Sequence, residues 1–129
     1  MEELAKRVVA CKGWRWMAGM LVRAGNSTMR LDGVDVDGRA VRYERSGSDR
    51  CACYPGWPSE KVLPDLTDPA TVGCLMALVR EAWKYQAIFT RPILMNGNAV
   101  WWNVETFDSL ISTDRSEVAA LVAALEAAP

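Results

Sequence analysis

Residues 67–83 constrain the fold more than any other part of this chain. Thr67 or Asp68 offers an N-cap, Pro69 sits near the first helical turn, and Val72, Leu75, Met76, Val79 and Trp83 recur with the period of one helix face. Cys74 and Leu78 widen that stripe. A helix this broadly apolar must be buried on more than one side, against a sheet and a neighbouring helix. The remainder of the chain therefore has to supply both.

Two further segments have helical spacing. Leu4, Val8 and Cys11 form a stripe opposite Glu2, Glu3, Lys6, Arg7 and Lys12, ended by Gly13; Val118, Leu121, Val122 and Leu125 form another from about Ser116, with Ser116, Asp114 or Thr113 as cap. Extended signals lie between the helices. Met20 to Val22 and Met29 to Leu31 flank the turn-forming Gly25-Asn26-Ser27, and Val34 and Val36 precede a second turn at Asp37-Gly38, after which 40–44 reads as a strand. Residues 45–64, rich in Ser, Gly and Pro, read as a long connection with a short extended piece at 51–54. Ala87-Ile88-Phe89, Ile93-Leu94 and Val100 to Val104 follow, with Asn96-Gly97-Asn98 as hairpin turn. If Val100, Trp102 and Val104 face the core, Trp101 and Asn103 take the opposite face.

This order of elements predicts an α+β fold, an antiparallel sheet covered by amphipathic helices. At 129 residues, half of them apolar and 24% charged, the chain reads as a single globular domain, 1–129, able to bury a core without disulfides or metal. Its formal charge of −1 argues against bulk nucleic-acid binding, although Arg23, Arg30, Arg39, Arg42, Arg45 and Arg50 all precede Lys61. No apolar run approaches the roughly 18 residues that span a bilayer. A cytoplasmic location with reduced cysteines is the expectation.

The run 63–70, Leu-Pro-Asp-Leu-Thr-Asp-Pro-Ala, with its continuation 75–83, the closing helix 116–126 and the opening helix that ends at Gly13-Trp14-Arg15-Trp16, resembles segments of small phage and prophage proteins. It is similar to the phage ABA-sandwich domain. The resemblance implies an α/β/α sandwich and a phage or prophage origin, hence the cytoplasm of an infected bacterial host. It carries over no functional residue.

Histidine is absent, which removes the commonest general acid/base near neutral pH and every histidine-based triad or zinc site. Cys51-Ala52-Cys53 lacks the spacing of zinc knuckles, and a four-thiolate site would have to draw in Cys11 and Cys74 from buried positions. Asp32, Asp35 and Asp37 would suit a metal-dependent phosphodiesterase or nuclease, but Asp32-Gly33 and Asp37-Gly38 are ordinary turn pairs. No glycine pattern makes a phosphate loop. No cofactor and no metal are expected.

Six tryptophans in so short a chain are the unusual feature. Aromatic faces beside guanidinium groups suit stacking on a nucleobase with arginine on phosphate, and they suit a protein hot spot equally well. The expected ligand-binding residues are Arg15, Trp16, Arg42, Tyr54, Trp57 and Trp101. The function expected from class and resemblance is non-enzymatic counter-defence: sequestering a nucleotide-derived immune signal, for which a symmetric homo-oligomer is apt, or directly inhibiting a host defence protein. The first predicts a preformed pocket and the second a flat aromatic and arginine patch.

Overall fold

The computed structural model describes residues 1–34, 40–43, 51–53 and 62–129, with the side chains of 34, 40–43 and 51–53 outside that description. By its contacts the chain groups into two compact units: Met1–Ala5 with Arg15–Cys74, and Lys6–Trp14 with Leu75–Pro129. The class is α+β, and every strand pairing among the described residues is antiparallel. Three helices accompany these strands, which form three three-stranded sheets. No described helix is long and apolar enough to cross a membrane.

In the first unit, β1 (Leu21–Ala24) pairs with β2 (Ser27–Arg30) across a two-residue turn in which Gly25 takes φ 59°. Only Gly adopts that conformation cheaply. On its other side β1 pairs with β6 (Val62–Pro64), so that Val22 meets Pro64 and Ala24 meets Val62. A second sheet joins β3 (Gly33–Val34), β4 (Ala40–Tyr43) and β5 (Cys51–Cys53) in that order. Strand β4 and the extended piece at Cys51 were expected; the Asp37-Gly38 turn lies outside the described residues. Strand β6 was not expected, since a three-residue segment ending in Pro carries no alternation. Met20, Val22, Leu31, Val62 and Leu66 are buried in this unit.

The helix α2 (Pro69–Ala82) starts where the sequence placed it. Asp68 is the cap: its Oδ2 accepts from the Thr71 backbone N–H at 2.8 Å and from the Thr71 hydroxyl at 2.9 Å. The Thr71 hydroxyl in turn accepts from the Leu21 N–H at 2.8 Å, and both Arg30 terminal nitrogens donate to Asp68, at 2.9 and 2.7 Å. One carboxylate thus ties the helix start to β1 and β2. Of the predicted stripe, Leu75 and Val79 are fully buried, and Leu78, read as a widening of the stripe, lies at its centre.

In the second unit, β7 (Phe89–Met95), β8 (Ala99–Glu105) and β9 (Leu110–Asp114) form a meander, with α3 (Glu117–Glu126) packed on β8 and β9. Ser116 caps α3, its side chain accepting from the Ala119 N–H at 3.1 Å. Asn96 (φ 51°) and Gly97 (φ 84°) make the predicted turn. Strand β9 was missed, because Leu110 and Ile111 are followed by polar residues that read as the approach to the helix cap. Trp83 follows α2 and donates from its indole N–H to the Ala124 carbonyl at 2.8 Å. The opening helix α1 (Glu2–Val9) is shorter than the expected run to Gly13, although Val8 is buried as predicted. A Cβ on Gly13 would lie 3.0 Å from Leu125 Cδ1 and 3.3 Å from the Ala82 methyl, so this residue is set by close packing.

Candidate functional site

Register assigns the side chains of the β7–β9 sheet to two faces. Thr90, Pro92 and Leu94 stand opposite Val104, Trp102 and Val100, and these six share one face. Helix α3 covers one end of it: Thr90 donates its hydroxyl to Glu117 at 2.6 Å, and Ser112, opposite Val104, donates to the Ala120 carbonyl at 2.6 Å. The cover then runs out. Val104 is 0% exposed, Trp102 is half-buried, and Val100 and Leu94 are 50% and 73% exposed. The expectation that Val100, Trp102 and Val104 share the core-facing side is correct in face, but the core reaches only its Val104 end.

The opposite face carries a polar lattice. Arg91 donates to both Glu105 oxygens, at 2.8 and 3.4 Å; Asn103 donates to the same carboxylate at 3.0 Å and accepts from the Thr113 hydroxyl at 2.9 Å. Hydrogen bonds from Arg91 and then Asn103 hold the Glu105 carboxyl below the usual range. Beyond this lattice lie Trp101, with the Arg115 guanidinium 5.6 Å from its ring centre, and its cross-strand partner Ile93. Met95, 38% exposed, and Ala99 complete this face towards the turn. At the other end of the meander Phe107 and Leu110 are 82% and 59% exposed, with the Phe107 ring 5.7 Å from that of Phe89.

Of the six residues expected to bind a ligand, Trp101 is thus on a sheet face beside a guanidinium, supplied by Arg115, which the sequence reading did not single out. Arg15 is exposed and Trp16 half-buried, both in the first unit. Arg42 lies on β4 with its side chain undescribed, and Tyr54 and Trp57 fall outside the described residues, as do Asp35 and Asp37. A groove of about 430 Å³ in the second unit is lined by Arg7, Ala10, Cys11, Leu125, Glu126 and Pro129 among others, and includes none of the six.

Among the described residues, several cysteines and carboxylates are engaged in packing or ion pairs. Burial pushes the Cys11 and Cys74 thiols up, keeping them protonated near neutral pH. Asp65 is held low by the Thr67 hydroxyl and by Arg23, whose guanidinium lies at 2.7 Å, and Glu126 by Arg7 at 2.7 Å. Among the described residues no group of three His, Cys, Asp or Glu is placed to hold a metal ion. The chain matches no family model, no curated protein and no solved structure.

Proposed function

We propose that this protein acts by binding another protein, without chemistry of its own, through the exposed surface of the β7–β9 sheet. One observation carries this reading. Of the seven exposed large apolar side chains among the described residues, five (Leu94, Met95, Val100, Phe107 and Leu110) lie on this sheet or in the turn between β8 and β9. Scattered apolar residues on a surface need no explanation, whereas contiguous ones mark an interaction site, and Leu94 and Val100 are exposed cross-strand neighbours at the hairpin end. Trp, Met and Arg are also enriched in interfaces, and Trp101, with Arg115 over its ring, shares with Met95 the face opposite Leu94 and Val100.

In the phage setting that the sequence resembles, the partner is a host defence protein, blocked by occupancy in the cytoplasm of the infected bacterium. Pull-downs from host lysate with the wild-type chain and with a Leu94→Glu/Val100→Glu variant test this reading. A partner retained by the wild type and lost by an equally stable variant is expected. A partner held equally by both, or none held by either, refutes it.

A second reading, sequestration of a nucleotide-derived signal, draws support from the Trp101 and Arg115 pair, since a base could stack on the indole with the guanidinium turned to phosphate. Its signature is a thermal shift with a nucleotide that disappears in Trp101→Ala. A ligand at a hundred times its dissociation constant stabilises a fold by about 2.7 kcal/mol. A flat panel of cyclic and linear nucleotides would leave the protein partner as the reading.

A further inference from the structure

We propose that Asn96 is a site of spontaneous covalent modification: in the folded protein the Asn96-Gly97 turn converts to aspartate and isoaspartate, which places a negative charge at the tip of the β7–β8 hairpin. The reaction is intramolecular, and water is its only co-reactant. The Gly97 N–H gives its proton to hydroxide and the nitrogen attacks Asn96 Cγ; the N–Cγ bond forms, the Cγ–Nδ2 bond breaks, and Nδ2 leaves as ammonia after taking a proton from water. Water then opens the succinimide at either carbonyl, restoring the ordinary backbone as aspartate or leaving it routed through Cγ as isoaspartate. Asparagine counts among the thermolabile residues.

The chain has four asparagines, and the structure separates them. Asn103 is buried, with its Nδ2 donating to Glu105 at 3.0 Å and its Oδ1 accepting from Thr113 at 2.9 Å, so its amide is not free to turn onto the Val104 nitrogen. Asn26 and Asn98 are exposed, but they precede Ser27 and Ala99, whose nitrogens belong to the paired strands β2 and β8 and whose Cβ atoms crowd the attack. Asn96 alone precedes a glycine. It is exposed, and among the described residues neither its amide nor the Gly97 N–H is held in a hydrogen bond. A Cβ built on Gly97 would meet nothing within 4 Å, so the ring has room to form.

Backbone motion is the second requirement. With φ of 51° at Asn96 and 84° at Gly97 the turn is tight, and the Gly97 nitrogen has to rotate to reach Cγ. Glycine accepts that change of dihedral without a steric cost. The flanking pairs, Met95 with Ala99 and Leu94 with Val100, consist of exposed residues, so parting them uncovers little further apolar surface. Segments with few buried contacts open locally at a small fraction of the global stability.

Both products alter the hairpin. Residues 92–104 contain no Asp, Glu, Lys or Arg, so the new carboxylate is the first charge within that segment. Isoaspartate also lengthens the backbone inside the turn 96–98, and turn length is what sets the register pairing Met95 with Ala99. The modification thereby ages the surface on which the proposed function rests, while the reaction itself does not depend on that reading.

The test incubates the purified full-length chain in mildly alkaline buffer at physiological temperature, folded and in parallel unfolded in urea, and follows released ammonia together with fragment masses. The expected result is an amide-to-acid mass gain at Asn96, split between separable aspartate and isoaspartate products and faster at higher pH. In the folded chain it should run within about tenfold of the rate in urea and at least about tenfold faster than at Asn26, Asn98 or Asn103. Asn96→Gly, which accepts the same turn, should lose most of the ammonia release. Isomerisation at Asp32-Gly33 changes neither mass nor ammonia and so does not enter the measurement. Folded-state protection of Asn96 well beyond tenfold, a mass gain led by another asparagine, or ammonia release undiminished in Asn96→Gly would each overturn the proposal.

Discussion

Val104 and Val100 lie on the same strand and the same face, four residues apart, yet one is sealed under α3 and the other is half exposed. Truncation should therefore separate stability from binding along one strand. Val104→Ala removes two buried methyl-sized groups worth about 0.8 kcal/mol each and leaves a cavity beneath α3, a loss of about 2.5 kcal/mol. Leu94 is 73% exposed, so only about a quarter of a side chain worth roughly 2 kcal/mol is withdrawn from water, and Leu94→Ser should cost about 0.5 kcal/mol. Val100→Thr, which keeps the β-branch, should cost no more. An unfolding entropy near 2.1 cal/mol/K per residue gives about 0.27 kcal/mol/K for this length, hence drops of about 9 °C for Val104→Ala and about 2 °C for each of the others. Calorimetry of the three purified variants at one pH measures this. If Leu94→Ser or Val100→Thr melts as early as Val104→Ala, those side chains are already covered within the folded chain and the surface argued for partner binding does not exist.

Two further outcomes follow from the ion pairs. Asp68→Ala deletes the cap of α2 and the carboxylate that receives Arg30, and should lower stability by about 1–2 kcal/mol, seen as a reduced urea midpoint with unchanged slope; Asp68→Asn, which can still cap, should recover most of it. Equal loss in both would show that the Arg30 pair rather than the cap carries the effect. Asp65, Asp68, Glu105 and Glu126 are all held below their ordinary range by hydrogen bonds and arginines, so the folded state binds protons less readily than the unfolded chain. Their contribution is complete above the ordinary carboxylate range, near pH 4, and is lost as pH falls through that range towards the folded values. Melting temperature should be level from about pH 7 to 5 and decline below it, and a rise on acidification would contradict the assignment.

What sequence reveals about this fold depends on how local the signal is. Asp68-Pro69 with a stripe behind it marks a helix start because cap, first turn and periodicity are all read within one segment, and α2 begins there. Gly25-Asn26 and Asn96-Gly97-Asn98 mark turns for the same reason, through backbone conformations that few residues accept. Strands β6 and β9 lack any such mark. Val62-Leu63-Pro64 becomes a strand because β1 lies beside it, and Leu110 to Asp114 because β8 does. Their pairing is a tertiary event, and no pattern of three to five residues encodes it.

The candidate site divides along the same line. Alternation in 100–104 tells which side chains share a face, and that much was legible; it does not tell how far along the strand a covering helix reaches, so Val100 and Val104 look alike in sequence and differ wholly in exposure. Arginine partners are likewise invisible. Arg115 meets Trp101 because β9 pairs Asp114 with Trp102, which puts the following residue beside the preceding one on β8. The uncharged run 92–104, by contrast, is a purely sequential signal. By pattern it reads as two strands joined by a turn at 96–98, and the structure adds that the strand residues 94, 95, 99 and 100 flanking that turn are exposed as well. An uncharged, largely apolar segment found in solvent is the observation on which the proposed docking surface rests.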